Sequence, residues 1–356
     1  MNRRKFLSLG TIAGAAAVGG CFTTPDVRGP AAVQGRPRKA LMKLGCQRFG
    51  GRTDDILQFY ARYGVQHIAA NPDRWTAESI KELFARAAAY GITVHAAHFS
   101  MGNIVTARGA ERDKLVSQAC DGIRIASDGG YEILLYGISV PCGVPSRTEP
   151  TPGRGNISYS TFQLAKVPPG PDIKEPMSEQ AAWDAVADFL GRVLPVAEKG
   201  RVKLACHPQD PPLPPGYRGA PQLLTSVEGL KRFVSLAESD CHGLHFCQGS
   251  ICEMVENPAR DICDIIRWFG ERKRIFNVHF RNLHGRRDDF YETFPDEGDV
   301  NMLNALRAYR DVGYDGMIMP DHVPGHPDDP TQREAFAFTY GYIRGLIQAV
   351  SAEAEA

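Results

Sequence analysis

From residue 40 onward, short apolar runs alternate with longer stretches in which apolar residues recur every three or four positions. A run of four to six apolar residues between polar turns reads as a buried strand, and the longer period reads as an amphipathic helix. The pattern predicts strands at 40–45, 66–70, 93–97, 132–136, 202–206, 243–246, 276–280 and 316–319. It predicts helices over 54–63, 77–90, 110–128, 179–199, 226–238, 258–269, 300–312 and 333–350. Thr76 stands where an N-cap oxygen would open the second helix. Tyr63-Gly64, Tyr90-Gly91 and Val312-Gly313 supply glycine where left-handed C-caps would close three others.

Eight successive strand–helix units predict an α/β protein of the (β/α)8 TIM-barrel class, with the barrel domain over 40–352. A long insertion after the fourth strand, roughly 138–177, is dense in Pro, Gly, Arg and Ser and is expected to form an ordered lid or rim loop. The competing doubly wound open sheet usually carries Gly-x-Gly-x-x-Gly after its first strand, and that motif is absent there.

Composition narrows the field. Among 356 residues, 41 Lys+Arg balance 41 Asp+Glu, which argues against nucleic acid as a partner. The 43% hydrophobic content is too dispersed for a polytopic membrane protein and too high for disorder.

The start of the chain reads as an address. Residues 1–21 carry Arg3-Arg4 ahead of Phe6-Leu7, then a small apolar run ending Val18-Gly19-Gly20-Cys21. The basic start and short apolar run describe a signal peptide that resembles the bacterial twin-arginine type, which implies export of the folded protein. The final residues resemble a loose lipobox, with Cys21 as the expected lipidation site and lipid anchor at the cell envelope. Residues 22–39, rich in Pro, Gly, Thr and Arg, read as a linker. The other cysteines show no paired spacing and are expected to be mostly buried apolar residues.

Barrel active sites gather at the C-terminal ends of strands. Units five to eight end in Cys206-His207-Pro208, Phe246-Cys247-Gln248, Val278-His279-Phe280 and Pro320-Asp321-His322. The steps from His207 to Cys247, His279 and Asp321 are 40, 32 and 42 residues, each about one unit. Two imidazoles, a thiolate and a carboxylate are thereby expected on one rim, as ligands of a divalent metal.

The segments Leu204-Ala-Cys-His-Pro-Gln-Asp-Pro-Pro212, Phe246-Cys-Gln-Gly-Ser250, Val278-His-Phe-Arg-Asn282, Glu297-Gly-Asp-Val300 and Gly313-Tyr-Asp-Gly316 through Pro320-Asp-His-Val-Pro324 resemble the mannonate dehydratases. These are metal-dependent enzymes on a xylose-isomerase-like barrel. The likeness lies within 202–324 and is weak in the first half. It implies that His207, Cys247, His279 and Asp321 are metal ligands and that His322 is catalytic beside Asp321. It implies dehydration of D-mannonate to 2-dehydro-3-deoxy-D-gluconate, with Mn²⁺ as the metal. Ligand softness keeps Zn²⁺, Co²⁺ and Fe²⁺ as alternatives.

That chemistry removes a C2 proton beside a carboxylate, so a cation and an acid/base group are needed. His322 is the candidate acid/base. Arg281 shares a strand face with His279 and is expected to grip the substrate carboxylate, with Asn282 and His98 as weaker substrate contacts. Arg154, Asn156 and Tyr159 in the insertion are candidates to cover the substrate; His67 reads as structural, while His242 and His245 read as rim residues. The expected partner is a small-molecule sugar acid, and a homo-oligomer stays open.

Two features depart from the family pattern. The segment after His322 is short and lacks the family's tyrosine, since Tyr340 and Tyr342 fall in the last helix. The export signal is also unusual for a catabolic enzyme. A sugar isomerase, epimerase or keto-sugar eliminase on the same barrel is the alternative, with Cys247 as the discriminating residue; a non-catalytic sugar-acid binder is a third reading.

Overall fold

The computed structural model describes residues 38–355. The signal-like segment 1–21 with Cys21, and the linker up to residue 37, lie outside the described residues. The chain opens with β1 (Lys43–Cys46), α1 (Asp54–Arg62), β2 (His67–Ala69), α2 (Ala77–Ala88), β3 (Thr93–His98), α3 (Gly109–Gly129) and β4 (Ile133–Gly137). An excursion follows, holding β5 (Thr151–Pro152), β6 (Ser158–Tyr159) and β7 (Thr161–Gln163). Next come α4 (Glu179–Gly200), β8 (Lys203–His207), α5 (Val227–Val234), β9 (His242–Cys247), the short α6 (Gln248–Cys252), α7 (Pro258–Glu271) and β10 (Ile275–His279). A hairpin of β11 (Asn282–Arg286) and β12 (Asp289–Thr293) precedes α8 (Met302–Asp311), β13 (Met317–Met319) and α9 (Arg333–Ala352).

Eight parallel strands close a barrel in the order β1-β13-β10-β9-β8-β4-β3-β2. The TIM-barrel expectation is met, and all eight expected strands and all eight expected helices are present. Local chemistry explains the agreement. In α7, Ile262, Ile265, Ile266 and Phe269 are buried at helical spacing, Asn257 accepts from the Arg260 N–H as N-cap, and Pro258 opens the first turn. Thr76 caps α2 by accepting from the Ser79 N–H, as expected.

Inside the barrel, Ala69, Ile133, Leu135, Ala205, Phe276, Met317 and Met319 belong to one packed apolar cluster. The barrel is therefore a solid support for its mouth rather than a pore. All eight cysteines among the described residues are free, and seven are buried.

The insertion is an ordered part of the rim. β7 pairs antiparallel with β12, which pairs with β11, so the excursion after β4 and the hairpin after β10 form one sheet. Ser158 and Gly325 exchange backbone hydrogen bonds of 2.8 and 3.1 Å, tying the insertion to the segment after His322. The hairpin was not legible because Asn-Leu-His-Gly-Arg and Asp-Phe-Tyr-Glu-Thr show little apolar alternation.

Candidate metal centre and active site

The strand ends converge as expected. His207, Cys247 and His279 end β8, β9 and β10, and their donor atoms all lie within 4.8 Å of one another. Cys247 and His279 are direct register partners. Asp321, two residues past β13, places Oδ2 3.7 Å from Cys247 Sγ and 3.4 Å from His279 Nδ1.

The donor set fits a divalent transition ion. His207 Nδ1 donates to the Pro208 carbonyl at 2.6 Å, which leaves Nε2 as the free ligand nitrogen. Both ring nitrogens of His279 are buried without a hydrogen-bond partner, despite the nearby Asp321. Burial pushes the Cys247 thiol well above its ordinary range, so ionising it in place requires a cation. Burial opposes charge on Asp321 too, but His279, His322 and Arg281 hold its carboxyl well below the usual range. Of the four buried or nearly buried carboxyl groups beside two guanidinium groups, burial raises Glu253 well above the usual carboxylate range, while Arg281 and its neighbours hold Asp210, Glu292 and Asp321 below it.

Arg281 corrects the expectation of a substrate clamp. Its side chain is fully buried, with Nη1 2.5 Å from Glu292 Oε1 and Nη2 2.8 Å from both Asp210 Oδ2 and Glu253 Oε1. The strand-face reading was sound, since Nη1 also lies 3.3 Å from Asp321 Oδ2. Both terminal nitrogens, however, are spent on protein groups while Nε is buried without a partner, so it positions the site from beneath. Arg147, from the insertion, completes this network with a bidentate pair to Asp210 at 2.6 and 3.1 Å and a contact to Glu292. Asp210, Glu292 and His322 form a second acid–imidazole cluster, but the two guanidinium groups already supply its cations.

His322 lines a cavity of about 840 Å³ with His207, Asp210, Arg147, Asp321 and Arg48. Its Nδ1 lies 2.8 Å from Glu292 Oε1, and its side chain is half exposed. Burial and Arg281 push its pKa down, but Asp321 and Glu292 outweigh them and hold it above the ordinary histidine value. Arg48 hydrogen-bonds the Gln332 amide oxygen at 3.0 Å and has no carboxylate partner among the described residues. It is the cation left available at the cavity wall.

Asn282 is not a substrate contact. It is 1% exposed, donates to the Pro295 and Val300 carbonyls, and accepts from the Leu283 and Val300 N–H groups. All of its capacity fastens the loop after β12. His98 does face the mouth: its Nε2 donates to Gln47 Oε1 at 3.0 Å, and it borders a smaller cavity with Asn71, His207 and His279. His67 is structural, as expected, 2.9 Å from His95. Arg154 pairs with Asp296 at 2.7 Å and Tyr159 donates to Glu297 at 2.5 Å, so both brace the rim. Tyr340 is buried against Cys46.

Sequence reasoning missed Asp210, Glu253, Glu292 and Arg147, and it misplaced His242 and His245, both buried in β9. For His245 a signal existed: it stands two residues before Cys247, hence on the same strand face.

Comparison with known proteins adds an independent line. The D-mannonate dehydratase (UxuA) family model matches residues 162–356. The chain is 34% identical over 239 residues to mannonate dehydratase 2 of Halalkalibacterium halodurans, covering 63% of this chain and 65% of that protein. It is 36% identical over 154 residues to a mannonate dehydratase of Thermotoga petrophila, covering 42% and 41%. The matches thus span less than two thirds of these relatives' lengths. Among solved structures, the mannonate dehydratase of Streptococcus suis serotype 2 superposes with a TM-score of 0.75 at 24% identity, covering 88% of this chain and 96% of that one. A D-tagatose 3-epimerase-like protein superposes at 0.60 and 18% identity, covering 88% and 100%. These two likenesses concern the fold.

Proposed function

The chain belongs to the D-mannonate dehydratase (UxuA) family, and from that premise we propose that it converts D-mannonate to 2-dehydro-3-deoxy-D-gluconate and water. The observation that carries the reading is the convergence of His207, Cys247 and His279, with Asp321 against Cys247 and His279 and beside the His322 ring. The family is metal-dependent, and these four residues would hold the ion. Bound there, a divalent ion supplies Lewis-acid stabilisation of the negative charge that develops when the C2 proton leaves.

The protein's own groups supply the rest. Glu292 Oε1 and Arg281 Nη1 both lie against His322 Nδ1, at 2.8 and 2.5 Å, and fix the ring, so proton exchange with the substrate falls to Nε2. In the overall change the C2–H bond breaks, its electron pair forms the C2–C3 double bond, and the C3 hydroxyl departs with a proton as water. The enol then becomes the 2-keto product. Arg48 is the group placed to meet the substrate carboxylate, because Arg281 is buried with both terminal nitrogens paired to protein groups. Mn²⁺ is the proposed metal from the family resemblance, with Co²⁺, Fe²⁺ and Zn²⁺ as competitors. Arg3-Arg4 and the Cys21 segment support an exported, lipid-anchored form.

The test is to incubate Mn²⁺-loaded protein with a panel of hexonates and follow 2-keto-3-deoxy products by mass and colorimetric assay. Loss of one water from D-mannonate is the expected result. Products of unchanged mass would favour the isomerase or epimerase reading, and no turnover with any metal would leave a binding protein.

A further inference from the structure

His245 has no place in the site described so far, yet it shares the defining features of a ligand. It sits in β9 two residues before Cys247, so both side chains project from the same strand face. It is 1% exposed, and neither ring nitrogen has a hydrogen-bond partner. Among the described residues, the only other histidine with both nitrogens buried and unpartnered is His279. The His245 ring centroid is 3.9 Å from that of His279 and 5.1 Å from that of His207. Two imidazoles sharing one ion place their centroids about 5 Å apart; the His245–His207 and His207–His279 pairs match that spacing, while His245 and His279 pack closer. A smaller cavity is lined by all three rings. Asn277, opposite His245 in the β9–β10 register, is also fully buried with both amide atoms unpartnered, so a neighbour has spare hydrogen-bonding capacity.

We propose that His245 supplies a further nitrogen donor to the ion held by His207, Cys247 and His279. The proposal rests on the metal centre of the reading above and extends it. A third imidazole enriches the site in borderline-soft donors, so it strengthens binding of Co²⁺ and Zn²⁺ more than binding of Mn²⁺.

The test uses the full-length protein loaded with Co²⁺, comparing wild type with His245→Leu and His245→Gln. Dissociation constants come from chelator competition, coordination from the Co²⁺ d–d absorption bands, and folding from thermal melts. We expect His245→Leu to weaken Co²⁺ and Zn²⁺ binding about tenfold or more and Mn²⁺ binding less. The d–d bands should change in energy and intensity, while the thiolate-to-Co²⁺ charge-transfer band persists. His245→Gln should weaken Co²⁺ binding in the same direction, and it decides the matter should the leucine variant fail to fold. Unchanged affinity and superimposable d–d bands in a folded variant would overturn the proposal and leave His245 hydrogen-bonded to water. A wild-type spectrum with no thiolate band would overturn the metal centre itself, which separates the two failures.

Discussion

Glu292 Oε1 and His322 Nδ1 lie 2.8 Å apart, although one comes from a rim hairpin and the other from the segment after β13. The carboxylate is 2% exposed, and the same oxygen also accepts from Arg147 and Arg281. Held between that carboxylate and Arg281 Nη1, 2.5 Å away, Nδ1 is occupied by protein groups and Nε2 is left to the cavity. Arg281 therefore reaches the reacting centre directly at His322 Nδ1 as well as through Glu292 and Asp321.

Replacing His322 by Asn removes the exchangeable proton without disturbing the ligands. Turnover should fall by about 10²–10⁴-fold with metal content unchanged, measured by steady-state kinetics and metal analysis. Near-normal kcat would exclude an acid/base role.

Glu292→Gln keeps the size of the side chain but removes its charge. Metal content should hold, kcat should fall about tenfold or more, and the pH–rate profile should move to lower pH, because a neutral partner no longer favours the imidazolium. An unmoved profile would mean that Glu292 only packs the hairpin.

Arg281 and Arg48 should separate cleanly. Arg281→Met leaves buried carboxylates unpaired, which costs about 3–5 kcal/mol, so the melting temperature should fall sharply. Arg48→Gln should leave the melt alone and raise KM, since this guanidinium lines the cavity without an acidic partner among the described residues. A normal KM for Arg48→Gln would mean that the substrate carboxylate binds elsewhere.

The barrel and the four metal-ligand candidates were legible because each depends on one βα unit at a time. A period of two or near four marks the element, and the residue after each apolar run marks the mouth. The network beneath His322 was not legible for the opposite reason. Arg147, Asp210 and Glu292 lie in aperiodic segments, and their meeting depends on β7 pairing with β12 across more than a hundred residues. Arg281 was placed on the right face, but its partners were invisible, so a buried hub read as a substrate clamp. His242 and His245 were read as rim residues although His245-x-Cys247 shows the alternation of one strand face.

Cys247→Ser replaces a thiolate donor with a weak hydroxyl. Metal stoichiometry and activity should fall together, read by metal analysis and turnover on the same samples. Full occupancy in the variant would remove Cys247 from the site.

His242 offers a pH test at the other end of the barrel, away from the mouth. It begins β9, is fully buried, and its Nε2 donates to the Phe233 carbonyl at 2.8 Å, leaving Nδ1 buried and unpartnered. Burial, more than any neighbour, lowers its pKa to about 4. Between that value and the ordinary one near 6.5, the unfolded chain binds a proton that the folded chain refuses. Stability is therefore full above pH 6.5 and drains away as the pH falls toward 4. At its limit this linkage amounts to roughly 3 kcal/mol. His242→Gln keeps an amide donor for Phe233 and cannot titrate. Its melting temperature should drop less than that of wild type between pH 7.5 and 5, while metal loss on acidification affects both proteins alike. Parallel losses would show that acid unfolding begins elsewhere, with His67, whose pKa also falls to about 4 through burial, as the next group to replace.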